Sequence, residues 1–459
     1  MRHRVHPLSP LLKSFATIAA VAAFAVANQW QLAVAVVTQL YDWAWLGLLI
    51  GTGAVAIIIG LIALFSWLSW RYTFYELTDD EVRYGSGWLL RSRRAARLDR
   101  VQAVDINQPL LARIFGLAEI VIETAGGSDS HFAIKYLTPP QCERFRAEVL
   151  GEVEKLDTEL AHSLYDGDSP AAAQDSSAHM SSRMSDAKTI FGPVDVGRLV
   201  ASVAIGPGLF VGIALILLAV VSALFTDFIV EILSGVTITT LIVIGSFALG
   251  LFGVLNQSWD FTLKVSSESR RLAITAGLLS TRAQTIPIDR IHGFKVVQPL
   301  WWRPWRWSRA DVSVAGYGLD STQSNNTLVP VAPAAETDAI VDYLMTEIAG
   351  PSSADDLLGS WQTPRTAWWL SPIDWKFQKV QATRRGLLVT KGRFWHTRFI
   401  VPWQRIQGHT LTTSPLKKPA GVANVRIDMV PGTVTPVATE LALADAYQLA
   451  ALIQEHKAV

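Results

Sequence analysis

An apolar run from Leu46 to Phe65 contains no charged residue and is long enough, at helical rise, to cross the hydrocarbon core of a bilayer. A chain carrying it must distribute everything else about a membrane. Trp43 and Trp45 stand at one end of the run and Trp67 and Trp70 at the other, where indole rings favour the headgroup layer. Two further apolar stretches, about residues 199–225 and 232–255, are separated only by a short segment containing Asp227 and Glu231, and so read as a hairpin. A weaker stretch from Phe15 to Val37, interrupted by Asn28, Gln29 and Gln31, pairs with the first run. The expectation is two transmembrane hairpins, 14–67 and 198–256, and about four spans. A cleaved secretory signal is the rival account of the first stretch, since basic residues precede it and Ala25-Val26-Ala27 resembles a cleavage site. The apolar sequence resuming after Gln31 argues for a span.

Lys and Arg set the expected direction. Arg2, Arg4 and Lys13 precede the first span, Arg71 follows the second, Lys188 and Arg198 precede the third, and Lys264 follows the fourth, while both hairpin loops lack Lys and Arg. Both termini and the large soluble segments are therefore expected at the cytoplasmic face. No span has an ionisable residue at its middle, which weighs against an ion-coupled pump. The formal net charge of +1 argues against a partner bound by neutralising many phosphates, so nucleic acid is not expected. The lone Cys142 cannot form an intramolecular disulfide.

Between the apolar blocks one phrase recurs three times. It reads Asp99-Arg100-Val101-Gln102 with Gln108-Pro109-Leu110, then Asp289-Arg290-Ile291-His292 with Gln298-Pro299-Leu300, then Gln404-Arg405-Ile406-Gln407 with Ser414-Pro415-Leu416. Arg and Pro are nine residues apart in the first two copies and ten in the third. Strand-like alternation precedes each phrase, as at Thr73 to Leu77, Glu81 to Tyr84 and Trp88 to Leu90 in the first copy. Another strand follows, at Glu119 to Thr124, Asp311 to Ala315 or Asn424 to Met429. Each copy then ends in a helical pattern, at 139–155, 335–348 and 443–455, and in the second Ile340, Leu344 and Ile348 share one face. The fold class expected is α+β, three β-rich units each covered by a C-terminal helix, at 71–156, 258–349 and 373–456. The Ser-, Ala- and Asp-rich residues 157–189 read as a flexible linker and 350–372 as a spacer.

These residues resemble the bacterial pleckstrin-homology-like domain of the YdbS/YdbT type. The resemblance is carried by Asp99-Arg100-Val101-Gln102, Gln108-Pro109-Leu110, the run Arg113-x-Phe115-Gly116-Leu117-Ala118, and the strand ending Thr124-Ala125-Gly126-Gly127. His6-Pro7-Leu8-Ser9-Pro10 resembles the opening of such proteins. The second copy departs from the pattern with Trp301-Trp302-Arg303-Pro304-Trp305-Arg306-Trp307, and the third with Lys417-Lys418-Pro419-Ala420-Gly421. The resemblance implies a partly open barrel or sandwich of two antiparallel sheets capped by a helix, with no catalytic activity. By analogy of fold it suggests binding.

Two clusters are candidates for contact with lipid or a protein partner. Arg91, Arg93, Arg94 and Arg97 follow closely on a membrane helix, and near an anionic leaflet each such charge contributes about 1 kcal/mol; the same residues also serve simply to fix topology. Trp301, Trp302, Arg303, Trp305, Arg306 and Trp307 suit the headgroup layer and suit equally a packed interface between domains. Arg100, Arg290 and Arg405, with Pro109, Pro299 and Pro415, read as structural parts of the repeated turn. No His-Glu-x-x-His, paired cysteine spacing, phosphate loop or Gly-x-Ser-x-Gly occurs, so no enzyme, metal or cofactor is expected. The functional expectation is a non-enzymatic scaffold at the inner face of a bacterial cell membrane, binding inner-leaflet lipid headgroups or a protein partner. The alternative is a component of a lipid or peptide transport or membrane-defence system.

Overall fold

The computed structural model describes residues 44–149 except 79, 89–90, 125–130 and the side-chain environments of a few others; it also describes 188–206, 248–266, 270–314, 326–351, 357–457, much of 2–25 and isolated residues between 212 and 245. The expected linker 157–189 lies outside the described residues as far as 187, and its last two residues begin a strand, Lys188–Phe191. The chain divides into two compact units, residues 1–181 and 182–459.

In the first unit, β1 (Arg2–His3), β2 (Phe74–Leu77), β3 (Glu81–Ser86) and β4 (Ser92–Arg97) form one antiparallel sheet in that order. A 3-10 turn, Leu98–Arg100, leads to a second antiparallel set, β5 (Val101–Gln108), β6 (Ala118–Thr124) and β7 (His131–Leu137), closed by a helix over 139–149. Of the strand expected at Trp88 to Leu90, Trp88 lies in a bend just after positive-φ Gly87 and residues 89–90 lie outside the described residues; the next described strand is the arginine-bearing β4. Val82, Leu98, Val104, Ile120, Ile122, Ile134 and Phe145 fill the core. Cys142 lies among them, and burial, with Glu143 and Glu119 nearby, pushes its thiol up to about 12; it is a packed core residue.

Helix α1 (Ala44–Arg71) stands between β1 and β2. Its segment Trp45–Arg71 is long and apolar enough to cross a membrane, and its most apolar stretch has no residue buried in protein. It is the one such helix among the described residues; the other three expected spans lie largely or wholly outside them. The residues upstream of the apolar segments nevertheless belong to the domain. The Trp70 indole donates to the Val5 carbonyl at 3.1 Å, the Ser66 hydroxyl donates to that of Pro10 at 2.8 Å, and β1 pairs with β2.

The second unit repeats this plan twice. β8 (Lys188–Phe191), β9 (Thr262–Ser266), β10 (Arg271–Ala276) and β11 (Thr281–Pro287) are successive antiparallel neighbours. After the 3-10 turn Ile288–Arg290 come β12 (Ile291–Pro299), β13 (Trp307–Val314), β14 (Thr327–Pro333) and α2 (Ala334–Ala349). The third copy has β15 (Leu357–Gln362), β16 (Lys379–Thr383), β17 (Gly386–Lys391), β18 (Trp395–Pro402), the turn Trp403–Arg405, then β19 (Gly408–Thr412), β20 (Val422–Asp428), β21 (Val437–Ala442) and α3 (Leu443–Lys457). The segment 350–372, expected as a spacer, therefore supplies the first strand of this copy. Its short alternation, Leu357, Gly359 and Trp361, is too brief to stand out from a loop.

The recurring phrase is the corner between the two sheets of each copy. The 3-10 turn buries its first residue, Leu98, Ile288 or Trp403, and the residue after the arginine, Val101, Ile291 or Ile406, is buried as well. The ladder shifts register at Gln102 in β5 and at His292 in β12, so the corner carries the same bulge in both copies. Pro109 and Pro299, with φ of −57° and −61°, open the connection out of the bulged strand. Pro415 occupies the corresponding turn of the third copy.

Copies two and three share one sheet. β12 pairs with β18 from Phe294↔Ile400 to Pro299↔Trp395, giving a seven-stranded order β14-β13-β12-β18-β17-β16-β15. Ion pairs reinforce this seam where α2 meets the third copy: Arg385 with Asp342 at 2.6 Å, and Arg398 with Asp338. Two histidines lie along it. Burial depresses the His292 pKa, and Arg405 of the third copy adds to the effect; burial likewise depresses that of His396, with Arg303 of the second copy next in weight. A histidine held neutral in the fold costs stability once the unfolded chain can bind the proton it refuses. The seam is therefore expected to weaken as pH falls below about 6.5, the ordinary histidine value, and to stop weakening below the depressed folded value. Thermal unfolding of the purified full chain between pH 8 and pH 5 checks this. His292→Gln should flatten that pH dependence relative to the parent chain; an unchanged slope would show that His292 contributes nothing to it.

Candidate functional site

The basic cluster of the first copy divides between two faces of its sheet. In β3 and β4, Gly85 lies opposite Arg93 and Tyr84 opposite Arg94, so strand alternation turns the two arginines apart. Arg94 lies towards the Tyr84 side, where its charge opposes the rise that burial imposes on the tyrosine pKa. Arg93 joins Arg91 on the other side, in a cleft of about 210 Å³ lined by Tyr72, Phe74, Gly85, Ser86, Gly87, Arg91, Ser92 and Arg93.

Local sequence explains the cleft. Gly85 faces Phe74 across the ladder, and a Cβ there would come within 2.5 Å of the Phe74 ring, so the absent side chain makes room for the ring as cleft floor. Gly87, at φ +97°, reverses the chain and brings Arg91 back over it. Tyr72 forms the remaining wall directly after α1 ends at Arg71. A volume below the few hundred Å³ of a drug-sized site, with two guanidinium groups at its lining, suits a phosphate-sized anion rather than a whole amphiphile. The cationic residues were legible in the sequence. Their division into Arg91 with Arg93 on one side and Arg94 on the other was not, because it depends on where β4 begins.

The tryptophan stretch of the second copy is also divided. Leu300–Trp305 forms a 3-10 turn, and Arg306 adopts positive φ before Trp307 starts β13. Trp301 packs edge to face on Trp395 of the third copy at 5.2 Å, the Leu300 amide donates to the Phe394 carbonyl at 2.7 Å, and Arg303 donates to the Arg393 carbonyl. The Trp302 indole donates to the Ser202 carbonyl at 3.1 Å. Trp305 stacks on Trp307 and remains 49% exposed, and Arg306 is exposed beside it. Part of this stretch thus serves the seam and part faces outward.

The repeated arginines end their 3-10 turns, Arg100 exposed and Arg290 and Arg405 half-buried. Among the described residues no cluster of His, Cys, Asp and Glu is arranged to hold a metal ion.

Comparison with known proteins agrees with this architecture. The chain is 25% identical over 260 residues to the UPF0699 transmembrane protein YdbT of Bacillus subtilis (strain 168), an alignment covering 52% of this chain. The match spans about half the length of that relative. A family model described as a bacterial PH domain matches residues 12–153, 191–348 and 357–457, with the first two matches including the apolar segments that separate first and second strands. With three such matches over most of its length, each coinciding with one copy of the two-sheet unit, the chain belongs to the bacterial PH domain family.

Proposed function

We propose that the chain is a non-enzymatic scaffold held in the bacterial inner membrane by two helical hairpins, with its termini and all three PH-like copies at the cytoplasmic face, and that the first copy binds the phosphate of an anionic lipid headgroup. The observation carrying the headgroup assignment is the cleft that places Arg91 and Arg93 beside Tyr72, immediately after the apolar helix α1. A helix of that length and composition brings its terminal residues to the membrane boundary, where anionic headgroups are concentrated. The asymmetric distribution of Lys and Arg about the spans supports the cytoplasmic placement. The name of the Bacillus subtilis relative supports the membrane setting.

The test uses the full chain purified in detergent and titrated with short-chain phosphatidylglycerol or phosphatidylcholine. At about 1 kcal/mol per charge, Arg91→Ser with Arg93→Ser should weaken phosphatidylglycerol binding about 30-fold. Arg94→Ser, turned to the other face, should leave it nearly unchanged. Equal binding of both lipids by the parent chain, or an equal loss in the Arg94 variant, would remove the cleft from the account.

A further inference from the structure

In each copy the chain leaves the domain between the first and second strands. In the first copy that connection, between β1 and β2, contains α1; in the second, between β8 and β9, it contains the apolar stretches at 199–225 and 232–255. In the third copy the same place, between β15 and β16, holds only residues 363–378, too short to cross a bilayer.

This short connection is fixed on its inner side. Ala367 is fully buried, the Thr363 hydroxyl donates to the Gln378 side chain at 2.7 Å, the Ser371 hydroxyl donates to Glu440 at 3.0 Å, and Asp374 accepts from the Arg393 amide at 2.8 Å. Its outer side is apolar and open. Trp368 is 58% exposed, Trp369 45% and Ile373 51%, with Arg365 and Lys376 exposed at its flanks. A second observation links this side to an expected span. The β17–β18 turn that holds Asp374 through Arg393 also receives Leu300 and Trp301 of the second copy, whose neighbour Trp302 is bonded to Ser202 at the start of the third expected span. Phe394 and Trp395, on that turn, are themselves largely exposed.

We infer that the 363–378 connection is an interfacial anchor that sets Trp368, Trp369 and Ile373 into the headgroup layer of the same membrane without crossing it. The place filled by spans in the first two copies is filled in the third by a monotopic contact. Tryptophan is the side chain best matched to that layer, and the flanking cations suit an anionic leaflet. The inference rests on the membrane-anchored reading above and adds a third attachment to it.

The experiment uses the full chain with single cysteines, Trp368→Cys or Ile373→Cys, each carrying a nitroxide, in nanodiscs of phosphatidylethanolamine and phosphatidylglycerol. Cys142 is buried and stays in place, with unlabelled parent chain as its control. Tyr447→Cys on α3, also exposed, is the reference for water. Both test positions should collide with oxygen more readily than with a water-soluble nickel complex, at a ratio several-fold above that at 447. A ratio equal to that at 447 would overturn the inference. Exclusion of both quenchers would also overturn it, since a protein surface would then cover the loop. Recovery of the chain in the nanodisc fraction separates the two readings: a chain that fails to incorporate sinks both, whereas one that incorporates with water-like values at 368 and 373 sinks only this one. The two positions are independent, so misfolding of one variant leaves the other to decide.

Discussion

Replacing Phe294 by Ala is expected to destabilise the unit 182–459 by about 3–5 kcal/mol, the range for truncating a fully buried aromatic side chain. Phe294 has no exposed surface and lies on β12, opposite Val312 of β13 on one side and Ile400 of β18 on the other. Its loss leaves a cavity in the second copy. Because β12 is also the strand on which the third copy builds its sheet, the damage should reach the third copy as well. Denaturant unfolding of the purified full chain reads the size of the effect, and hydrogen exchange of β16 and β17 reads its reach. Loss of protection confined to β13 and β14 would show that the copies open independently and that the shared sheet transmits little. A change below about 1 kcal/mol would mean that the site refills by repacking.

Much of each copy was legible because its parts are local. The recurring Arg-to-Pro phrase marked the corner between sheets, and the helical periodicity of 335–348 and 443–455 anticipated α2 and α3 within a residue or two. Three features were not legible, each for a physical reason. The first strand of every copy is short and separated from its partner by a long insertion or by a loop of unrelated sequence, so nothing in Lys188–Phe191 or Leu357–Gln362 announces which strand it joins. The seam between β12 and β18 is main-chain pairing, which leaves little trace in residue identity beyond alternation. The tryptophan stretch satisfied two environments at once in the sequence, and the fold divides it: Trp301 and Trp302 go to contacts within the unit, while Trp305 with Arg306 stays outward. For the arginines, the residue types were legible in the sequence but the start of the strand that carries them was not. Trp88 to Leu90 looks more strand-like than Ser92–Arg97, and only the reversal at Gly87 shows why the latter pairs with β3.

The attachment of such an upstream strand depends on a single glycine in the second copy, and Gly192→Ala is expected to release it. Gly192 follows β8 at φ +100°, a conformation that costs an L-residue on the order of 1–3 kcal/mol. A Cβ there would also fall 2.2 Å from the Phe261 carbonyl oxygen and 2.9 Å from the Thr262 Cα, both main-chain atoms that no rotamer change can move aside. The two costs act on a strand held to the sheet through β9 alone, by pairings such as Thr189↔Lys264 and Phe191↔Leu263. Phe191 is buried beside Phe261, so the strand cannot shift without exposing an aromatic ring. Hydrogen exchange across 188–191 should therefore rise in the variant while β12 and β18 keep their protection, and Thr262–Ser266 should become more exchangeable as a newly opened edge. Retained protection at 188–191 would show that the chain finds another way around Phe261 and that the strand is held by more than this turn. Loss of protection throughout 262–457 would show instead that the upstream strand is a condition for folding the whole unit. That result would make the residues on the two sides of the apolar stretches at 199–225 and 232–255 a single cooperative domain, completed only once its first and second strands have met.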